Sequence, residues 1–366
     1  MHRRDAFLLP ASVGRRQQEG PGNFYNRQLP RKPIVPTPFL HELLAPVPDV
    51  ARTIAADMDV VDAVIVERLQ SDVALIDQIG RYIVSAGGKR VRPVLLLLMS
   101  RACGVEGPHP PLLAAAVEFI HTATLLHDDV VDESSLRRGR DTANALFGNA
   151  ASVLVGDFLY SRAFQMMVSV GNLRVLDVLA DATNVIARGE VLQLMNMHDA
   201  DLGVDDYLRV VRFKTAKLFE ASARLGPVLA GAHASVEEAC AEYGRCVGTA
   251  FQLIDDLLDY DGETADIGKN VGDDLREGKA TLPLLVAMSR CGDADRATLR
   301  AAITEGGGDR LEDVLRIVRA NDAIEATREA AKAEANRAIE ALSALPVSNY
   351  REALLQFVVR LTDRTR

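Results

Sequence analysis

Two runs of the chain place three carboxylates at the end of an apolar stretch: Asp128-Asp129-Val130-Val131-Asp132 and Asp255-Asp256-Leu257-Leu258-Asp259. On a helix Asp128 and Asp132 lie four residues apart and Asp129 and Asp132 three, so the acids crowd one face. Like charges at that spacing repel. A solvated acidic face would be flanked by Lys and Glu, whereas these runs continue the apolar segments Val117 to Leu126 and Val247 to Ile254. The carboxylates are therefore expected at the mouth of a buried space, where they need a counter-cation. Oxygen-only ligands suit a hard ion such as Mg2+, which binds through one or two carboxylates plus waters and substrate phosphates. One such cluster alone reads equally as a solvated helix end. The same DDxxD spacing twice, 255 minus 128 or 127 residues apart, favours a metal and diphosphate site.

A basic set complements the acids. Gly87-Gly88-Lys89-Arg90-Val91-Arg92-Pro93 ends one helix and opens another, offering close backbone approach, free amides, and Lys89 and Arg92 for phosphate oxygens. The competing reading is a basic turn in solvent. Arg137-Arg138-Gly139 follows the first cluster, where two guanidiniums form either an anion site or a surface ion-pair network, and Lys214, Lys269 and Lys279 add cations near the second. His127 precedes Asp128, as in the His-Asp dyads of metal phosphohydrolases, but such sites need further His ligands on other helices. His2, His41, His109, His198 and His233 sit in no comparable setting. His127 is thus expected to be structural, and His121, six residues earlier, to join the anion site.

The elements that must position these groups are helices. From about residue 48 apolar positions recur at three and four, and no β-branched run alternates with polar residues. Stops fall at Gly87-Gly88, Gly107-Pro108, Gly139, Gly171-Asn172, Gly203, Gly231, Gly262, Gly278, Gly292 and Gly306 to Gly308, which predicts roughly a dozen helices. No strand and no repeat of 30 to 50 residues is expected. The fold class is all-α, a single large bundle from about residue 45 to 366, with the chain beyond Gly292 as the one candidate for a separate subdomain. Residues 1–44 form a basic, Pro-rich extension: Arg3, Arg4, Arg15, Arg16, Arg27, Arg31 and Lys32 stand against Asp5 and Glu19 among six prolines up to Pro38. Such a segment is expected to be disordered; its Arg-rich, acid-poor composition makes a mitochondrial transit peptide the alternative.

Composition narrows the partners. Of 366 residues 48% are hydrophobic and 25% charged, a globular balance. A net charge of -9, aromatics at 5% and no Trp disfavour phosphate backbones and base stacking, so no nucleic acid is expected. The apolar run Val94 to Met99 falls far below the roughly 20 residues of a membrane span. Cys103, Cys240, Cys246 and Cys291 form no CxxC pair and suggest buried thiols in a reducing compartment. No secretory signal is recognised, and a cytoplasmic location is expected.

Together GGKRVRP, LLHDDVVDESSLRRG, KTAKLFE, FQLIDDLLDY and GKNVGDDLREGKATLP resemble the trans-isoprenyl diphosphate synthases over about residue 45 to the C-terminus, five motifs in family order. EFIHTATLLHDDVVDES and the stretch Gly156 to His198 look most like the octaprenyl-forming bacterial branch, which supplies the ubiquinone side chain. The resemblance implies an isoprenoid synthase bundle with a central active-site cavity and sequential condensation of isopentenyl diphosphate onto an allylic diphosphate by ionisation, condensation and elimination. It implies that Asp128, Asp129, Asp132, Asp255, Asp256 and Asp259 hold a cluster of three Mg2+ ions, with Mn2+ able to substitute. Lys89, Arg92, His121 and Arg138 match the isopentenyl diphosphate site. Arg137, Lys214 and Lys269 match the allylic diphosphate contacts, and Thr215 and Gln252 match positions whose oxygens face the carbocation. Ala123 and Thr124, small and one turn before Asp128, match the chain-length position, with Phe119 and Ile120 as candidates for the deeper tunnel. A homodimer is implied, and a product of eight isoprene units with ten as the neighbouring length. A class I terpene cyclase lacks the basic isopentenyl site and a regulatory subunit has eroded Asp motifs, so both rank below the synthase.

Overall fold

The computed structural model describes residues 43–362 apart from 86, 138 and 262–271. Arg138, Lys269 and the extension up to residue 42, for which the sequence gives expectations, lie outside the described residues. The chain begins with α1 (Pro48–Leu69), α2 (Ala74–Ser85), α3 (Val91–Ala102) and α4 (His109–Val131). After a hairpin come α5 (Ala143–Phe147), α6 (Asn149–Ser169), α7 (Leu173–Asn196), α8 (Val204–Val211), α9 (Lys217–Ala230) and α10 (Ala234–Asp261). The C-terminal part holds α11 (Asp273–Arg276), α12 (Leu282–Arg290), α13 (Asp293–Glu305), α14 (Leu311–Ala320), α15 (Ala323–Ala341) and α16 (Asn349–Thr362). Among the described residues none of these is long and apolar enough to cross a membrane.

Helix α3 is apolar on every side, and from Pro93 to Ser100 all its residues are buried, as a helix at the centre of a bundle must be. Around it α1, α4, α6, α7, α9, α16 and the first half of α10 contribute one continuous core. The chain beyond Gly292 does not stand apart. Ile303, Val314, Ile317 and Ala331 enter a second core that also contains Leu253, Ile254 and Tyr260 of α10 and Tyr207 of α8, so α10 is the wall shared by both.

Two local features depart from the sequence expectation. Leu136–Arg137 pairs antiparallel with Arg140–Asp141, a minimal hairpin where no strand was expected, closed at Gly139 with φ of 71°, a conformation glycine adopts without strain. Between α8 and α9 the helix widens into a π turn over Arg212–Ala216, and such single wide turns cluster at functional sites.

Candidate active site

Both aspartate motifs line one cavity of about 450 Å3. Asp128 and Asp132 come from the C-terminal end of α4, Asp255, Asp256 and Asp259 from α10, and Lys89, Arg92, His121, Arg137, Lys214, Thr215 and Gln252 share the same lining. The described part of the expected site, apart from Asp129 and Ala123, is therefore assembled in one place from five elements.

The six aspartates divide by what already holds them. Asp129 is 4% exposed and is not part of the cavity lining; Arg137 Nε and Nη2 both lie 2.8 Å from its Oδ1. Burial raises its carboxyl above the usual range, and Arg137 opposes that rise. The hairpin is what folds Arg137 back onto this acid. Asp256 accepts from Tyr207 Oη at 2.5 Å on Oδ2 and from Gln252 Nε2 at 2.7 Å on Oδ1. Burial, then the nearby Asp274, pushes its carboxyl up to about 7, with the two donors holding it down. Asp259 accepts the backbone N–H groups of Asp273 and Asp274, each at 3.2 Å, and so caps α11. Three buried acids are thus satisfied by protein donors, as buried charges must be.

The first motif faces lysines. Lys214 Nζ lies 3.4 Å from Asp128 Oδ2 and 2.5 Å from Glu190 Oε2, while Lys279 Nζ donates to Asp132 Oδ2 at 3.0 Å and to Glu277 Oε2 at 2.5 Å. Burial works against both ammoniums, yet the carboxylates around them raise both pKa values, so both stay charged. Among the described residues no three acidic, His or Cys side chains converge into a closed cage for an ion. An open set of separate carboxylates suits Mg2+, which retains waters and shares substrate phosphates.

The basic segment splits. Lys89 and Arg92 reach the cavity, with the Arg92 guanidinium 4.5 Å from the centre of the Phe219 ring. Arg90, at φ of 48°, turns inward instead and pairs with buried Glu118 at 2.5 Å. Thr215 donates to Gln252 Oε1 at 2.8 Å, so Thr215, Gln252, Asp256 and Tyr207 form one chain of hydrogen bonds tying the π turn and α8 to α10. His127 Nε2 lies 3.2 Å from the carbonyl of Val153 and its ring fills the space over Gly156, while the same side chain also lines an apolar cavity.

This second cavity, of about 620 Å3, shares Thr124, Asp128, Asp132, Glu190, Gln193 and Met197 with the first and continues along Tyr160, Phe164 and Ile186. The chain-length candidates separate here. Thr124 lines both cavities, but Ala123, Phe119 and Ile120 line neither and lie in the core at 2% exposure or less. One residue is 100° of helix rotation, and of these four only Thr124 lines the cavities with Asp128.

Sequence reasoning passed over Glu190, Tyr207 and Asp274. Two signals were available. Tyr207 is the single aromatic residue of α8, and Glu190 interrupts the stripe that Ile186 begins on α7. Comparison with known proteins agrees with this geometry. The sequence pattern of the Polyprenyl synthetase family matches residues 73–320. Octaprenyl diphosphate synthase of Escherichia coli (strain K12) is 57% identical over 313 residues, 85% of this chain and 97% of that protein.

The chain belongs to the polyprenyl synthetase family.

Its activity is that of a long-chain trans-polyprenyl diphosphate synthase, a prenyltransferase. Among solved structures, a polyprenyl synthase from Caulobacter crescentus CB15 complexed with calcium and isoprenyl diphosphate has a TM-score of 0.84 and 44% identity, covering 92% of this chain and 100% of its own. A decaprenyl diphosphate synthase from Rhodobacter capsulatus has a TM-score of 0.82 and 44% identity, covering 89% and 99%. Family members of this kind share the all-helical bundle.

Proposed function

We propose that the protein makes octaprenyl diphosphate for the ubiquinone side chain, adding isopentenyl diphosphate stepwise to an allylic primer. The observation that carries this reading is the adjacency of two cavities: one is lined by residues of both aspartate motifs and by the cations, and it shares Thr124 and Glu190 with the larger apolar one. Lys89, Arg92 and His121, with Arg138, hold isopentenyl diphosphate. Arg137, Lys214 and Lys269 face the allylic diphosphate, and Lys279, now on Asp132, supplies further positive charge there.

Asp128, Asp132 and Asp255 would hold Mg2+ directly, while Asp129, Asp256 and Asp259, committed to protein donors, orient their neighbours. When bound, a cluster of Mg2+ ions, three by resemblance, neutralises charge on the leaving diphosphate. Thr215 and Gln252 present oxygens to the wall where positive charge develops on the allyl group. The Caulobacter relative, which carries a divalent cation and isoprenyl diphosphate, supports the pairing of ligands. A basic segment on the same cavity as the two motifs favours two diphosphates over the single one of a terpene cyclase.

The protein acts as a homodimer in the cytoplasm. In support, α6 and α7 expose Leu154, Val168, Val191, Leu194 and Met195 at 56–73%, apolar side chains of the kind that a partner surface covers, and the four cysteines are free thiols, which fits a reducing compartment. Purified protein incubated with Mg2+, isopentenyl diphosphate and farnesyl diphosphate should yield a product of eight units by chromatography and lose all turnover in EDTA. A ten-unit product would move it to the decaprenyl branch, and full rate in chelator would refute the metal site.

A further inference from the structure

Three consecutive residues of α7 grip the π turn that carries Lys214. Arg188 lays its guanidinium 5.2 Å from the centre of the Phe213 ring. Gly189 lets the backbones meet, since a Cβ there would lie 2.6 Å from Lys214 N. Glu190 then accepts the Lys214 ammonium at 2.5 Å, closer than Asp128 at 3.4 Å. A lysine is a compact charge on a flexible four-carbon stem, so its aim has to come from its acceptors. Glu190 lines both cavities, which puts the ammonium at the border between the polar and the apolar space.

We infer that Glu190 is a positioning residue for the transfer reaction: it holds the Lys214 ammonium at that border and keeps it there when a cation claims Asp128. With Asp128 neutralised, an unheld Lys214 is repelled by the incoming charge, and the shorter of its two contacts is the one that remains. The inference deepens the reading of Lys214 as a contact of the allylic diphosphate and rests on it. Reach, rather than charge, is the property required at position 190.

Two conservative variants separate those properties in the full-length enzyme at saturating Mg2+. Glu190→Asp keeps the charge and loses the reach; Glu190→Gln keeps the reach and an acceptor oxygen and loses the charge. Glu190→Asp should raise KM for the allylic primer at least about tenfold, with KM for isopentenyl diphosphate within about twofold, and Glu190→Gln should stay within about threefold on both. Calorimetric binding of inorganic diphosphate with Mg2+ should weaken in Glu190→Asp and persist in Glu190→Gln, with native circular dichroism throughout. Equal losses in the two variants, an unchanged primer KM in Glu190→Asp, or a parallel rise in both KM values would overturn the inference. Lys214→Ala separates the two layers. If it leaves the primer KM unchanged, the Lys214 reading fails and this inference with it; if it raises that KM while Glu190→Asp does not, only the role of Glu190 fails.

Discussion

Replacing Tyr207 by Phe removes one hydroxyl from the closed end of the site and tests how the second aspartate motif is held. In the wild-type protein that hydroxyl donates to Asp256 Oδ2 at 2.5 Å, opposite Gln252 on Oδ1. Burial has already raised the Asp256 carboxyl to about 7, and Tyr207 is one of the two donors that limit the rise. A hydrogen bond contributes about 1.5–3 kcal/mol to a charged acceptor and about 0.5–1.5 kcal/mol to a neutral one. The difference, about 1–1.5 kcal/mol, is about one pKa unit, so the variant's carboxyl should titrate near ~8. An acid whose folded pKa lies above its unfolded value favours the fold fully below the unfolded pKa, and that stability is lost as pH rises to the folded pKa. For the wild type the loss is complete near 7; in the variant it continues for about one unit more. The destabilisation by Tyr207→Phe should therefore be about 1–1.5 kcal/mol larger at pH 9 than at pH 6, roughly 1.5–2 °C in Tm for a chain of this length. Thermal melts of both proteins by circular dichroism, in EDTA so that no cation sits beside Asp256, measure it directly. A gap between the two proteins that is equal at both pH values, or narrower at pH 9, would refute the account of Asp256 as a buried carboxylate held ionised by Tyr207.

Asp128→Ala and Asp255→Ala should each lower kcat by at least about a hundredfold with native circular dichroism, because each removes transition-state charge stabilisation without opening a core; unfolding with unchanged activity per folded molecule would make the motifs structural. Arg92→Ala or Lys89→Ala should raise KM for isopentenyl diphosphate far more than for the primer, measured by steady-state kinetics with each substrate varied, and an equal effect on both would reassign the basic segment. Thr124→Tyr places a ring on the shared wall of the two cavities and should shorten the product to about three or four units while the first condensation proceeds. Ala123→Tyr, in the core, should instead cost about 1–3 kcal/mol of stability by overpacking. Product chromatography and melting curves of this pair check both, and the opposite pattern would restore Ala123 to the tunnel.

Much of the site was legible before folding was considered. The two DDxxD runs, their apolar approaches and the helical class all rest on spacings of three and four residues, and that geometry is complete within a single helix; the basic Gly87–Pro93 turn is marked by its glycines and proline. Tertiary structure alone decided which side of each helix meets which neighbour. It turned Arg90 inward to Glu118 while Lys89 and Arg92 reached the cavity. It put Thr124 on the lining of both cavities and Ala123 in the core. It committed Asp129, Asp256 and Asp259 to Arg137, Tyr207 and the α11 amides, and it brought Glu190 to Lys214 from a helix that ends more than a dozen residues earlier. The physical reason is common to all four. Each step along a helix rotates a side chain by 100°, so neighbouring positions in the chain point to different surroundings, and those surroundings are supplied by packing against elements that local spacing does not encode.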